Sequence, residues 1–279
     1  MNVSCGVMRA LAVVALGGCM AGPPACAPAG SWVDPGSGRP VADPVAGVRA
    51  GAVLLLGEAH DQAADHRWEL QTIERVYQAR PDMVLGLEMF PRASQAALDR
   101  WVAGGESEAA FLKESRWAEV WGFPPELYMP IFRFARDHHV PMVALNVSRG
   151  LVHQVAQGGW DSVAADAREG VGRPAPPSDA YRAQLQDAMA GHGGPKMTPA
   201  RLAHFIEAQT VWDRAMAEAI AAQRGRTVVA IVGEGHVLFR DGVPHQLAAM
   251  GQHGAIVLVP QPDHCARPGA GAADAVYIE

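Results

Sequence analysis

Five short apolar runs, at 53–56, 83–87, 141–145, 227–232 and 255–259, recur along the chain. They are rich in Val, Leu and Ile, continuous rather than alternating, and too short for helices. Strands buried on both faces of a parallel sheet have this pattern. Amphipathic segments lie between them. In 62–79, Leu70, Ile73, Val76 and Tyr77 share a face, and Pro81 follows the end. Ile131, Phe134, Ala135 and His138 recur at helical spacing, so 130–138 reads as a helix with Pro130 in its first turn. A longer helix is predicted over 198–224, opening at Thr198-Pro199 and stopping at Gly225. The stretch from 150 to 225 holds helix signals and no strand, and is expected to be a helical insert. Strand–helix alternation implies an α/β fold with a mostly parallel sheet flanked by helices.

The polar residues fall at the ends of these runs. Leu56 is followed by Gly57-Glu58-Ala59-His60, Leu87 by Glu88, Leu145 by Asn146, and Val232 by Gly233-Glu234-Gly235-His236. Open α/β sheets bind ligands beyond the carboxyl ends of their strands. Glu58, His60, Glu88 and His236, supported by Asn146, therefore form a candidate cluster at one sheet edge. Imidazole and carboxylate together suit a divalent ion or general acid–base work. The plainer alternative is that these groups cap helices and bond one another across the edge. In 198–224, Gln209 and Asp213 lie one turn apart and are expected either to back His60 or His236 or to form a solvated helix edge.

The front of the chain changes the picture. Residues 9–19 read R-A-L-A-V-V-A-L-G-G-C, a secretory leader whose Leu16-Gly17-Gly18-Cys19 resembles a bacterial lipobox. On this reading 1–18 are a signal peptide, with Met8 as a more usual start than Met1. Cys19 is then acylated, and 19–44, rich in Pro, Gly and Ala, form a flexible tether. The alternative is an ordinary secretory signal that happens to end in Cys. Met20 is not the Asp that marks inner-membrane retention, so an outer-membrane anchor in a bacterial envelope is expected. The domain then spans 45–265, with a tail at 266–279. Cys26 and Cys265 either pair in the oxidising compartment or remain two free thiols.

Composition mainly excludes. A net charge of −6, with Lys113 and Lys196 the sole lysines, argues against nucleic acid as a partner. The 49% apolar content argues against disorder. There is no Walker A loop, no G-x-G-x-x-G after a strand, no G-x-S-x-G and no H-E-x-x-H.

The segments L-L-L-G-E-A-H-D, G-L-E-M-F, W-G-F-P-P-E-L-Y-M-P-I-F-R-F-A-R, A-L-N-V, A-Q-T-V-W-D-R-A-M-A and G-E-G-H-V-L-F-R-D-G-V-P run in order from about residue 51 to 260. Together they resemble the ChaN-like haem-binding lipoproteins. The resemblance implies a Rossmann-like core with a small helical subdomain, a role in haem or iron uptake, and a homodimer. It also implies haem iron held by tyrosine and propionates met by histidine. Tyr128, Tyr181 and His192 are the candidates for those roles, since tyrosinate is a hard ligand suited to ferric iron. The wider superfamily resembles erythromycin esterases and Tiki-type metalloproteases, which share the Gly-x-x-His and Glu features. A hydrolase built on the strand-end cluster, with or without a divalent metal, is therefore the alternative function.

Overall fold

The computed structural model describes residues 26–191, 198–265 and 268–279. Seven strands form one sheet: β1 (Trp32–Val33), β2 (Val53–Glu58), β3 (Val84–Pro91), β4 (Met142–Asn146), β5 (Val228–Gly233), β6 (Ile256–Gln261) and β7 (Ala275–Ile278). Their order is β1-β7-β6-β2-β5-β3-β4, and every pairing is parallel except β1 with β7. The five apolar runs are thus five neighbouring strands, β6, β2, β5, β3 and β4, each displaced by a few residues at most. Successive side chains point to opposite faces, and each face has its own core. Leu54, Leu56, Leu85, Leu87, Val229 and Ile231 pack on one side. Leu55, Val84, Val228, Ala230 and Val232 pack on the other. Two buried faces are why these strands read as continuous runs.

The first side is covered by α1 (Ala63–Ala79), α2 (Gln95–Ala103), α3 (Glu108–Glu114), α4 (Trp117–Val120) and α5 (Pro125–Asp137). Pro125, not Pro130, occupies the first turn of α5, and Pro130 lies inside the helix with its ring exposed. The proline of the first turn therefore lies five residues earlier than expected.

After β4 come α6 (Arg149–Gly158), α7 (Asp179–Gly191) and α8 (Pro199–Ala221), then α9 (Val243–Ala249) after β5. The Thr198 side chain caps α8 by accepting from the Arg201 N–H at 3.3 Å. No strand lies among the described residues of the insert. Its boundary at 225 needs correction, however. Ala208, Val211 and Ala215 on α8 pack with α6 in a core of their own. Met216, Ala217 and Ile220 belong to the core under the sheet. The insert ends midway along α8, whose second half is an ordinary crossover helix.

Both chain ends differ from expectation. Within the proposed tether, residues 26–44 lie against the domain: β1 pairs with β7, Val33 is buried, and Trp32 packs edge-on to Trp68 and Tyr277. Within the proposed tail, β7 sits between β6 and β1. Strands of two and four residues are too short for periodicity to reveal. A Cys26–Cys265 disulfide, with Cα atoms 4.6 Å apart, joins the two ends. Among the described residues no helix is long and apolar enough to cross a membrane. Cys19 and His192 lie outside the described residues.

Candidate functional site

The carboxyl ends of β2, β3 and β5 lie side by side, so each strand delivers its last polar residue to the same edge. At the end of β2 the chain turns sharply, and the Ala59 N–H donates to Asp65 Oδ2 at 2.8 Å. This turn brings His60 back over Glu58, and His60 Nδ1 donates to Glu58 Oε1 at 2.9 Å. Behind them, the Tyr128 hydroxyl on α5 donates to Glu58 at 2.9 and 3.2 Å.

At the end of β5 the second Gly-x-x-His is built differently. Glu234 is exposed, and His236 Nδ1 instead donates to Asp213 Oδ1 on α8 at 2.7 Å. The Tyr181 hydroxyl on α7 donates to the other oxygen, Oδ2, at 3.1 Å. Asp213 is fully buried and partners His236, one of the alternatives that its helical register left open.

Two chains of tyrosine, carboxylate and histidine thus enter the edge from opposite sides of the sheet. A carboxylate can only accept, so each Nδ1 carries a proton, and Nε2 is a bare lone pair only while the ring is neutral. Glu88 lies at the end of β3 beside both rings. Its Oε2 accepts from the Gly233 N–H, and its Oε1 is 3.7 Å from His236 Nε2. Asn146 on β4 donates to the Glu88 carbonyl at 3.2 Å. Gly233 is required here, because a Cβ would lie 2.7 Å from His60 Cε1. Gly242 is equally constrained: its φ is +57°, and a Cβ would meet the His236 carbonyl oxygen at 2.2 Å.

These contacts set the charge states. Burial alone would push the His236 pKa down, but the charge of Asp213, its hydrogen bond and the charge of Glu88 outweigh this and raise it to about 9. Burial also opposes the His60 cation, yet the Glu58 bond and the Glu88 and Glu58 charges leave its pKa above the ordinary value. Both tyrosines are shifted upward, first by burial and then by the adjacent carboxylate.

A pocket of about 460 Å³ opens over this edge, lined by His60, Glu88, His236 and Asn146. Met89, Val120, Trp121, Val147 and Trp212 supply apolar wall, and the Arg149 cation and the Arg116–Glu119 ion pair also line it. The His60 ring packs against Trp121 with centroids 4.6 Å apart. A cavity of about 550 Å³ lies at the opposite, amino end of the strands, away from every candidate residue.

A sequence profile of a family described as haem-binding uptake, Tiki superfamily, ChaN matches residues 45–247. The chain belongs to that family. The ChaN fold is also found by structure. The solved structure of ChaN of Campylobacter jejuni, described as cofacial heme binding, superposes with a TM-score of 0.69 at 17% identity. That match covers 88% of this chain and 95% of the other. The erythromycin esterase EreC in its open conformation is more distant, with a TM-score of 0.44, 12% identity, and 75% and 70% of the two chains covered. The effector domain RRSP of a Vibrio vulnificus toxin gives 0.41 and 19%, over 74% and 33% of the chains. No curated protein matches the sequence.

On this ChaN fold the sequence-derived cluster divides. His60, Glu88 and His236 face the pocket, whereas Glu58 lies behind His60 and holds it. Tyr128 and Tyr181 are only 0% and 2% exposed, with hydroxyls committed to carboxylates, so neither offers an oxygen to iron in this arrangement. Sequence reasoning missed the pocket's aromatic and arginine walls. It also missed His66 and Glu69, whose i, i+3 spacing on α1 was the available signal.

Proposed function

We propose that this protein is a lipid-anchored component of a bacterial envelope that binds haem in the carboxyl-edge pocket and serves haem or iron acquisition. The observation that carries the reading is the combination of apolar walls, two histidine Nε2 atoms and two arginines in one pocket. Haem needs an apolar slot, an axial donor and partners for its propionates, and these residues fit all three. Nε2 of His60, or of His236 once its proton is lost, would hold the iron, and Arg149, with Arg116 released from Glu119, would meet the propionates. The bound iron would supply the redox-active, ligand-binding centre; the chain's own work is to hold, orient and shield it. Family membership and the ChaN relative support haem as the ligand. The cofacial binding described for that relative supports a second copy of this chain covering the open side of the pocket. Hemin added to the purified chain should give a saturable Soret shift, and no shift contradicts the reading.

The anchor rests on Leu16-Gly17-Gly18-Cys19 and is supported by the disulfide, which belongs in an oxidising compartment. The disulfide also shortens the leash. Cys26 is held at Cys265, four residues past the carboxyl end of β6, so a lipid on Cys19 lies within seven residues, about 25 Å, of that edge. The pocket edge is then kept close to the bilayer, in the outer membrane by the Met20 signal. Mass analysis of membrane-extracted protein should show an acylated Cys19 as the first residue.

A second reading is favoured by Glu88, which faces His236 at 3.7 Å between two backed histidines, a setting for hydrolysis with or without a divalent ion. Loss of hydrolysis in Glu88→Gln supports it; a wild type without hydrolytic activity removes it.

A further inference from the structure

We propose that Glu58, His66 and Glu69 form a buried divalent transition-metal site behind the pocket, distinct from the histidines that face it. The three offer donor atoms within 4.8 Å of one another, and none is more than 3% exposed. His66 Nε2 lies 3.2 Å from the His60 carbonyl oxygen. Both ring nitrogens therefore face acceptors; if the ring is neutral with its proton on Nε2, Nδ1 is a lone pair. That Nδ1 faces Glu58 Oε2 at 3.2 Å and Glu69 Oε2 at 2.9 Å. In that state three electron-rich atoms lie within 4.8 Å of one another, a conflict that a metal cation resolves, as does a proton, which burial favours on Glu69. Glu69 provides a second, independent sign: its Oε1 is buried and has no hydrogen-bond partner.

The geometry suits a small ion. Donors about 2.1 Å from a metal lie about 3.0–3.4 Å apart in octahedral or tetrahedral arrangement, close to the spacings found. One imidazole with two carboxylates selects Zn²⁺, Mn²⁺, Co²⁺ or Fe²⁺ over Ca²⁺. A ring nitrogen bonded to a backbone carbonyl is also the usual way a metal-binding histidine is oriented. A cavity of about 220 Å³ on the α1–α5 side, lined by His66, Ala63, Leu70 and Leu127, reaches the site at His66. Glu58 links the two regions, because its other oxygen accepts from His60 Nδ1. An ion behind Glu58 would draw charge away from that bond and so tune the pocket histidine.

The test is titration of the chelator-treated full chain with Zn²⁺, Mn²⁺ and Co²⁺, read by calorimetry, Co²⁺ absorption and thermal unfolding. One equivalent should bind and raise the unfolding temperature. Glu69→Gln, which preserves shape, should weaken binding at least about tenfold, as should His66→Ala. His236→Ala should bind metal like wild type. Circular dichroism and hemin titration of Glu69→Gln show that the variant is folded. No binding to wild type, or binding unchanged in folded Glu69→Gln, overturns the site. Binding lost in His236→Ala but kept in Glu69→Gln also overturns it, placing the ion at the pocket.

Discussion

Asp213 holds His236 by a 2.7 Å contact between Oδ1 and Nδ1, although the two lie on different elements 23 residues apart. The pair fixes the ring so that Nε2 points toward Glu88 and the pocket. Because the His236 pKa is raised to about 9 from an ordinary 6.5, the pair stabilises the fold fully below pH 6.5. That stabilisation is lost as pH rises through 9. The unfolding temperature of wild type should therefore fall across this window relative to Asp213→Asn. A constant difference between the two proteins from pH 6 to 10 would show that the pair carries no such linkage.

Tyr128→Phe and Tyr181→Phe should keep the hemin Soret band, since both hydroxyls are spent on carboxylates. Each should cost about 1–3 kcal/mol in denaturant unfolding, because a buried Glu58 or Asp213 loses a donor. A Soret band abolished by either substitution, in a folded protein, would restore the tyrosine as an iron ligand.

Gly233→Ala should displace His60, with which the added methyl would collide at 2.7 Å. Hemin affinity is expected to drop about 10–100-fold while the far-ultraviolet dichroism stays native. Wild-type affinity in this variant would mean that the His60 position does not matter for the ligand.

Cys26→Ser should lower stability by about 2–4 kcal/mol, since the disulfide closes a loop of 239 positions. Reducing agent should reproduce the effect in wild type and leave the variant unchanged. Equal stability of wild type with and without reductant would show the two cysteines unpaired in solution.

The central sheet was legible because its five strands are buried on both faces and so announce themselves as unbroken apolar runs. The two end-of-chain strands were not, since Trp32–Val33 and Ala275–Ile278 are short and gain their place by pairing with each other and with β6 rather than by any pattern of their own. The strand-end polar residues were found by position alone, and α8 register also suggested Asp213. The partners of each histidine could not be read from the repeated Gly-x-x-His. In the first repeat the preceding glutamate holds the ring, whereas in the second Glu234 is exposed and a helix remote in sequence supplies the carboxylate. The tyrosines were candidate ligands only through the family resemblance. Only the packing of α5 and α7 shows that their hydroxyls face inward to Glu58 and Asp213.

The most direct test of the proposed haem site is hemin titration of wild type beside His60→Ala, His236→Ala and the double variant, followed by absorption. The account predicts a low-intensity, shifted Soret band and at least about tenfold weaker binding once the axial nitrogen is removed, most fully in the double variant. A double variant that is folded and binds hemin with the wild-type spectrum and affinity would contradict it.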